Sequence, residues 1–212
     1  MKLYSYFRSS AAYRVRLALN LKGIPYTTLA VDLLNAEHQT AQFRSRNPQA
    51  LLPALELDDG RVLNQSTAIL EWLEESFPEH PLLPANPAER AEVRSLCSHI
   101  ACDIHPLNNL SVMNYLRQEM AVPRDLARQW YGHWIHRGFA NIETALRSGA
   151  GHFCHGDSPG LAECYLIPQV FNARSSKVDI SDYPLIAAID HRCNELRAFQ
   201  NAHPHQQPDF KS

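Results

Sequence analysis

The sequence predicts an α/β unit followed by an all-α unit. Three observations predict this. Strand-like and helix-like stretches alternate through residues 1–77. Four prolines, Pro78, Pro81, Pro84 and Pro87, then fall within ten residues. Beyond them only helical periodicity remains. The expected divisions are 1–77 as the α/β domain, 78–87 as a linker, and 88–212 as a helical domain.

In the first division, Lys2 to Phe7 is strand-like, and Ser10 to Lys22 places Ala11, Val15, Ala18 and Leu19 on one helical face. Gly23 suits a helix stop. Tyr26 to Val31 reads as a second strand, and a short, weakly patterned helix is expected around His38 to Arg46. NPQALLPALEL supplies a turn, a proline and a third strand from Ala54 to Leu57. Asp58-Asp59-Gly60 signals a hairpin into a fourth strand, Arg61 to Leu63. Ser66 can cap a helix bearing Ile69, Leu70, Leu73 and Phe77. The order is β-α-β-α-β-β-α, with a crossover and a terminal hairpin. After Pro87, one long helix is expected from Ala88 to about Arg117, bent near Pro106. Others are expected over Asp125–Ser148, over Leu161–Ala173 with a break or kink at Pro168, and over Pro184–Phe199.

Composition excludes several classes. The chain has 212 residues, 45% of them hydrophobic and 20% charged, with a formal net charge of −2. Nothing in this balance points to nucleic acid or an anionic membrane as partner. No apolar run is long enough to span a bilayer, and MKLYSYFRSS enters a strand-like segment without a signal-peptide core, so a cytoplasmic protein is expected. The five cysteines show no CxxC spacing and are read as reduced and mostly buried, and no metal site is expected from them and the eleven histidines.

Three polar spots fall near one edge of the α/β domain: the Ser9/Ser10 turn, the backbone before Pro53, and Gln65/Ser66 at a helix start. Pro53 can be an ordinary strand-start proline or a cis-proline that turns backbone toward a ligand. Ser10 can be a plain N-cap, or one hydroxyl of the pair can donate to a thiolate at the helix N-terminus, where the dipole also lowers the thiol pKa. Together the three spots suit an extended peptide carrying a thiol and a carboxylate.

FRSSAAYRVRLAL resembles the SSCSWRVR signature of zeta-class glutathione transferases. IHPLNNLSV at Ile104 to Val112 and HPHQQPD at His203 to Asp209 also resemble that class. The resemblance covers essentially the whole chain and implies the glutathione transferase fold, a thioredoxin-like domain followed by an all-α domain. It implies glutathione as cofactor and a homodimer. Carried over residue by residue, it places Ser9 and Ser10 at the glutathione thiol, with Ser9 on the thiolate and Ser10 as helix cap. His38 would sit at the glycyl end, the backbone of Leu52 before Pro53 at the cysteinyl part, and Gln65 and Ser66 at the γ-glutamyl carboxylate. His105, Asn109, Leu110 and Ser111 match a second patch of the class. Three departures stand out. Ala11 replaces the cysteine of SSCSW. Arg174 in PQVFNARSS lies one position, about 100° of helix turn, before the arginine of the class. The cap before that helix reads Gly160-Leu-Ala-Glu163, without a hydroxyl at its first position.

The class carries out cis–trans isomerisation of maleyl compounds. A thiolate adding to the alkene carbon pushes charge onto the conjugated carbonyl, which calls for a cation or N–H donors nearby. Guanidinium also binds the substrate's carboxylates. Arg8, one residue before the serines, is the expected clamp for a carboxylate or for that charge, against the plain reading of a surface salt bridge. Arg174 is a second clamp, with His105 also toward substrate, whereas Arg14 and Arg16 are read as structural ion pairs or solvated charges. The implied activity is conversion of maleylpyruvate to fumarylpyruvate in aromatic degradation. The alternatives are maleylacetoacetate isomerisation, general glutathione conjugation, or a non-catalytic module of the same fold.

Overall fold

A computed structural model of the chain describes residues 1–210. It divides into two compact units. One is Met1–Leu83 together with the chain from Asn194 onward, and the other is Pro84–Cys193.

The first unit is built on four strands, β1 (Lys2–Ser5), β2 (Thr27–Ala30), β3 (Ala54–Glu56) and β4 (Val62–Asn64), in the order β2-β1-β3-β4. β1 and β2 run parallel, joined by helix α1 (Ser10–Leu21), while β1–β3 and β3–β4 are antiparallel. Register assigns the faces by the two-residue period. Tyr4 pairs with Ala54, and both join Val31 and Phe43 in a cluster that Leu29, Leu52 and Val62 pack against. Leu3 pairs with Leu55 on the opposite face, and both are fully buried, so the sheet is covered on both sides. The segment expected as one short helix is split. A 3₁₀ turn over Glu37–Gln39 precedes α2 (Ala41–Arg44), because Thr40 takes an extended conformation and caps α2 with its hydroxyl oxygen. α1 ends where Gly23, at φ +67°, takes the left-handed conformation and the Ile24 N–H reaches Leu19 O.

Helix α3 (Ser66–Ser76) packs on α1, and a buried ion pair closes this corner. Lys22 Nζ lies 2.7 Å from a Glu74 carboxylate oxygen and donates to the carbonyls of Phe77 (3.0 Å) and His80 (2.9 Å). Glu74 in turn accepts from the N–H groups of Leu82 and Leu83. The start of the proline-rich stretch is therefore fixed by hydrogen bonds.

In the second unit, the expected long helix is a series of shorter ones. α4 (Pro87–Ser98), capped by Asn86, widens into a π-helical stretch over His99–Ile104; α5 (His105–Asn108) and α6 (Leu110–Asn114) follow, with a second π-helical stretch over Tyr115–Glu119. Pro106 contributes no N–H to the helical ladder, and Asn109 is extended and caps α6 instead of continuing α5. α7 (Arg124–Gly149) crosses the first π-helical stretch closely, since a Cβ on Gly138 would lie 2.2 Å from Ile104 Cδ1. α8 (Leu161–Ser175) is one helix running through the buried Pro168, not two pieces. The buried Glu143 of α7 accepts from the N–H groups of Leu185 and Ile186, supplying the first turn of α9 (Pro184–Glu195) with a carboxylate.

The last expected helix also divides. Leu196 is extended, and α10 (Arg197–Ala202) belongs to the first unit, where it packs on α1. Arg16 Nε donates to Ala202 O and the Asn20 amide to Ala198 O. The chain after Asn194 is thus grouped with the α/β unit, whereas the sequence reading ran the helical domain to residue 212.

Candidate active site

The turn from β1 to α1 carries Arg8 and Ser9. The Ser9 N–H closes the turn on Tyr6 O at 2.9 Å. Ser9 is the N-cap of α1, and its Oγ accepts from Ala12 N–H at 3.2 Å. Ser10 is the first helical residue and is buried. This corrects the assignment of the cap to Ser10. The extended backbone of Ser9 turns its hydroxyl over the helix end, while Ser10 already has helical geometry. Accepting from Ala12 leaves the Ser9 O–H free to donate outward, at the positive end of a helix of 12 residues. Arg8 is exposed and makes no ion pair among the described residues. The backbone beneath it is held by Arg16, which is fully buried and donates to Ser5 Oγ, Tyr6 O, Phe7 O and Ala202 O. Burial pulls the Arg16 pKa down to about 10, so it stays charged at neutral pH.

A second group lies at the start of α3 in the same unit. The Leu52–Pro53 peptide is cis. The loop before it is shaped by the buried Asn47, which donates to Leu51 O and accepts from Gln49 N–H. Gln65, not Ser66, occupies the cap position of α3, at φ 66° and ψ 116°. That region costs a non-glycine residue of order 1–3 kcal/mol and is held only where surroundings demand it. Gln65 Nε2 donates to Gln49 Oε1 at 2.7 Å. Ser66 is buried in the first turn, and its Oγ accepts from Arg14 Nη1 at 3.3 Å. Arg14 is itself buried, so a guanidinium charge lies beneath the N-terminus of α3 and adds to its dipole. Arg14 and Arg16 are therefore not solvated, one of the two alternatives read from the sequence. Both are interior and serve oxygen acceptors. His38 is half-buried on its 3₁₀ turn, and its buried Nδ1 has no hydrogen-bond partner among the described residues. Burial, then the charge of Arg44, lowers its pKa, so the ring is neutral at neutral pH.

In the second unit, Asn109 Oδ1 accepts from Val112 N–H (2.9 Å) and Ser111 Oγ–H (2.8 Å). Leu110 is largely exposed, and His105 opens α5. Trp130 Nε1 donates to Leu107 O, fixing the same stretch. Asn108, passed over in the sequence, is buried with neither amide atom partnered among the described residues. Arg174 Nη1 lies 2.6 Å from the buried Asp190 carboxylate, which draws part of its guanidinium inward. The Glu163 side chain accepts from the N–H groups of Gly160 (2.6 Å) and Cys154 (2.7 Å), so the carboxylate half of the capping box forms without a hydroxyl. An open groove of this unit, lined by residues such as Val93, His99 and Leu146, includes none of the expected site residues.

Residues 8–76 match the glutathione S-transferase N-terminal domain family. The chain is 47% identical over 211 residues to a maleylpyruvate isomerase of Ralstonia sp, covering 99% of each. It also superposes, over the full length of both chains, on a holo structure described as maleyl pyruvate isomerase, a bacterial glutathione S-transferase in zeta class (TM-score 0.96, 47% identity). The chain belongs to the zeta class of glutathione transferases. A structure solved with glutathione in its active site, described as maleylacetoacetate isomerase from Anaeromyxobacter dehalogenans 2CP-1, matches at 49% identity with TM-score 0.89, covering 98% of this chain and 96% of that one. Against the zeta-class signature, Ala11 sits in the first turn of α1 where the class carries cysteine. Among the described residues, Cys102 is exposed and the other four cysteines are buried. Burial pushes the thiol pKa of Cys154 well up and raises that of Cys193 also. Asn47, Gln49 and Asn108, which the sequence reading passed over, are amides whose only signal was their place inside NPQ and PLNN.

Proposed function

We propose that the protein is a glutathione-dependent cis–trans isomerase that converts maleylpyruvate to fumarylpyruvate in aromatic degradation. The observation that carries this reading is the Ser9 hydroxyl at the N-cap of α1, free to donate to an anion, one residue from Arg8, which makes no ion pair among the described residues. The first unit fits the cofactor on its own observations. It has two helix N-termini, a buried guanidinium under one of them, and a buried His38 Nδ1 without a hydrogen-bond partner among the described residues.

Bound glutathione supplies a thiolate that adds reversibly to the substrate double bond and lets that bond rotate. Ser9 donates to that sulfur and, with the α1 dipole, lowers its pKa, while the buried Ser10 keeps the first turn in place. His38, neutral, faces the glycyl end. The backbone of Leu52, set by Pro53, pairs with the cysteinyl part. Gln65 and Ser66 hold the γ-glutamyl carboxylate above Arg14. Arg8 binds a substrate carboxylate and stabilises charge developing on the conjugated oxygen. From the second unit, His105, Asn109, Leu110 and Ser111 contribute the patch that the class resemblance assigns. Arg174 is a second clamp, using the N–H groups not turned to Asp190. Because Ala11 carries no thiol, no protein sulfur takes part. The protein works as a cytoplasmic homodimer on a small dicarboxylate.

Absorbance of the purified protein with maleylpyruvate, with and without glutathione, tests the reading. Glutathione-dependent formation of fumarylpyruvate, faster than the isomerisation of maleylacetoacetate, is the expected result. Preference for the longer substrate would assign the second reading, which the Anaeromyxobacter relative favours. A product that retains glutathione would assign conjugation, and no binding of glutathione would leave a non-catalytic module.

A further inference from the structure

The C-terminal segment after α10 returns to the turn that carries Arg8 and Ser9. A 3₁₀ turn over Pro204–Gln206 leads into Gln207, whose buried side chain donates to Asn201 O and His203 O, both at 3.0 Å. Phe210 N–H closes on Gln207 O, and the Phe210 ring meets the Phe7 ring edge-on, with centroids 5.5 Å apart. Between them, Asp209 Oδ2 accepts from the Phe7 N–H at 2.8 Å, across 202 residues of sequence.

The peptide groups on both sides of Phe7 are thereby fixed. Its N–H is taken by Asp209, and its carbonyl by Arg16 Nη2 at 3.1 Å. Tyr6 O, in the first of these peptides, also accepts the Ser9 N–H that closes the turn. Asp209 Oδ1 is buried with no hydrogen-bond partner among the described residues. Leaving a carboxylate oxygen so costs stability, so fold stability alone does not account for the carboxylate. A group that fixes the turn from which a hydroxyl must point at a reacting sulfur does account for it, because small displacements at such sites cost large factors in rate.

We propose that Asp209, carried by the C-terminal strap His203–Phe210, is a positioning residue that with Arg16 sets the Arg8–Ser9 turn and so the aim of the Ser9 hydroxyl. Its catalytic consequence rests on the function proposed above, whereas its hold on the turn does not. Asp209→Asn keeps an oxygen acceptor and removes the charge. Asp209→Ala removes both, so their difference isolates the hydrogen bond.

Hydrogen exchange on the glutathione-free protein is the first measurement. Asp209→Ala should speed exchange of the Phe7 and Ser9 amides about tenfold, the order of a charge-assisted hydrogen bond, with Asp209→Asn much closer to wild type. The second is the ultraviolet titration of the thiol of bound glutathione, which should move upward by roughly half a pH unit in Asp209→Ala and much less in Asp209→Asn. Unchanged exchange at both amides would overturn the hold on the turn. Faster exchange with an unmoved thiol titration would overturn the link to Ser9. Failure of the wild type to bind glutathione would sink the proposed function and with it the link to the thiol, while exchange still decides the hold. Should Asp209→Ala not fold, Arg16→Lys, which keeps a charge but cannot serve the same four acceptors, is expected to speed Ser9 exchange likewise, and unchanged exchange there would count against the proposal.

Discussion

Replacing Lys22 with methionine should destabilise the protein by about 4 kcal/mol, in the range found when one member of a buried ion pair is removed. The Lys22 and Glu74 side chains are 1% and 4% exposed, so solvent cannot replace the lost contacts. Methionine fills much the same volume as the lysine stem, which keeps the cavity contribution small. What is lost is the countercharge of Glu74 and the donor for Phe77 O and His80 O. Glu74 retains Leu82 N–H and Leu83 N–H, which keeps the cost from running higher. For a chain of this size, about 4 kcal/mol corresponds to a fall in Tm of roughly 8–16 °C. Urea denaturation of Lys22→Met, Glu74→Gln and the double variant measures it, and the double variant should cost clearly less than the sum of the singles. A loss below about 1 kcal/mol for Lys22→Met, the range of an exposed pair, would refute the reasoning.

Ser9→Ala should lower kcat/KM about a hundredfold and raise the pKa of the bound thiol, as steady-state kinetics and ultraviolet titration would show. Arg8→Ala should reduce turnover by a similar order, with partial recovery in Arg8→Lys; unchanged kcat and KM would remove Arg8 from the site. Gly138→Ala should cost about 1–3 kcal/mol in urea denaturation, because its Cβ would lie 2.2 Å from Ile104 Cδ1. Burial raises the pKa of Glu163 above the ordinary carboxylate value. Its protonated form thus adds stability below that value, and the contribution is lost as pH rises through the folded pKa. The stability of wild type relative to Glu163→Gln should therefore decline over that window, and a flat difference would contradict it. His38, lowered by burial, should titrate below the usual histidine range in an NMR pH series.

The alternation of strands and helices and the hairpin at Asp58–Gly60 were legible because each is written in neighbouring residues, whereas the local sequence left Pro53 open between a plain strand start and the cis peptide found. The breaks at Asn109 and Leu196 were not, since both segments keep helical patterning and only the extended backbone at one residue divides them. Arg14 and Arg16 misled for another reason. A charged residue on a helix reads as solvated until long-range carbonyls and a serine hydroxyl are found around it. Ser9 and Ser10 were visible as a pair, but which one caps depends on a single ψ angle. The link from Asp209 to Phe7 joins the two ends of the chain and leaves no local pattern to read.

Ala11 at the head of α1 has a consequence for durability. A nucleophile built into a protein is spent when it is oxidised or alkylated, and the molecule is lost with it. Here the reacting sulfur belongs to a diffusible tripeptide, so a damaged one is replaced when that tripeptide dissociates. The one exposed thiol among the described residues, Cys102, lies on a π-helical stretch of the second unit. Chemical wear is moved off the machinery and onto a metabolite that is continually renewed, and Cys102 is left as a convenient place to attach a probe.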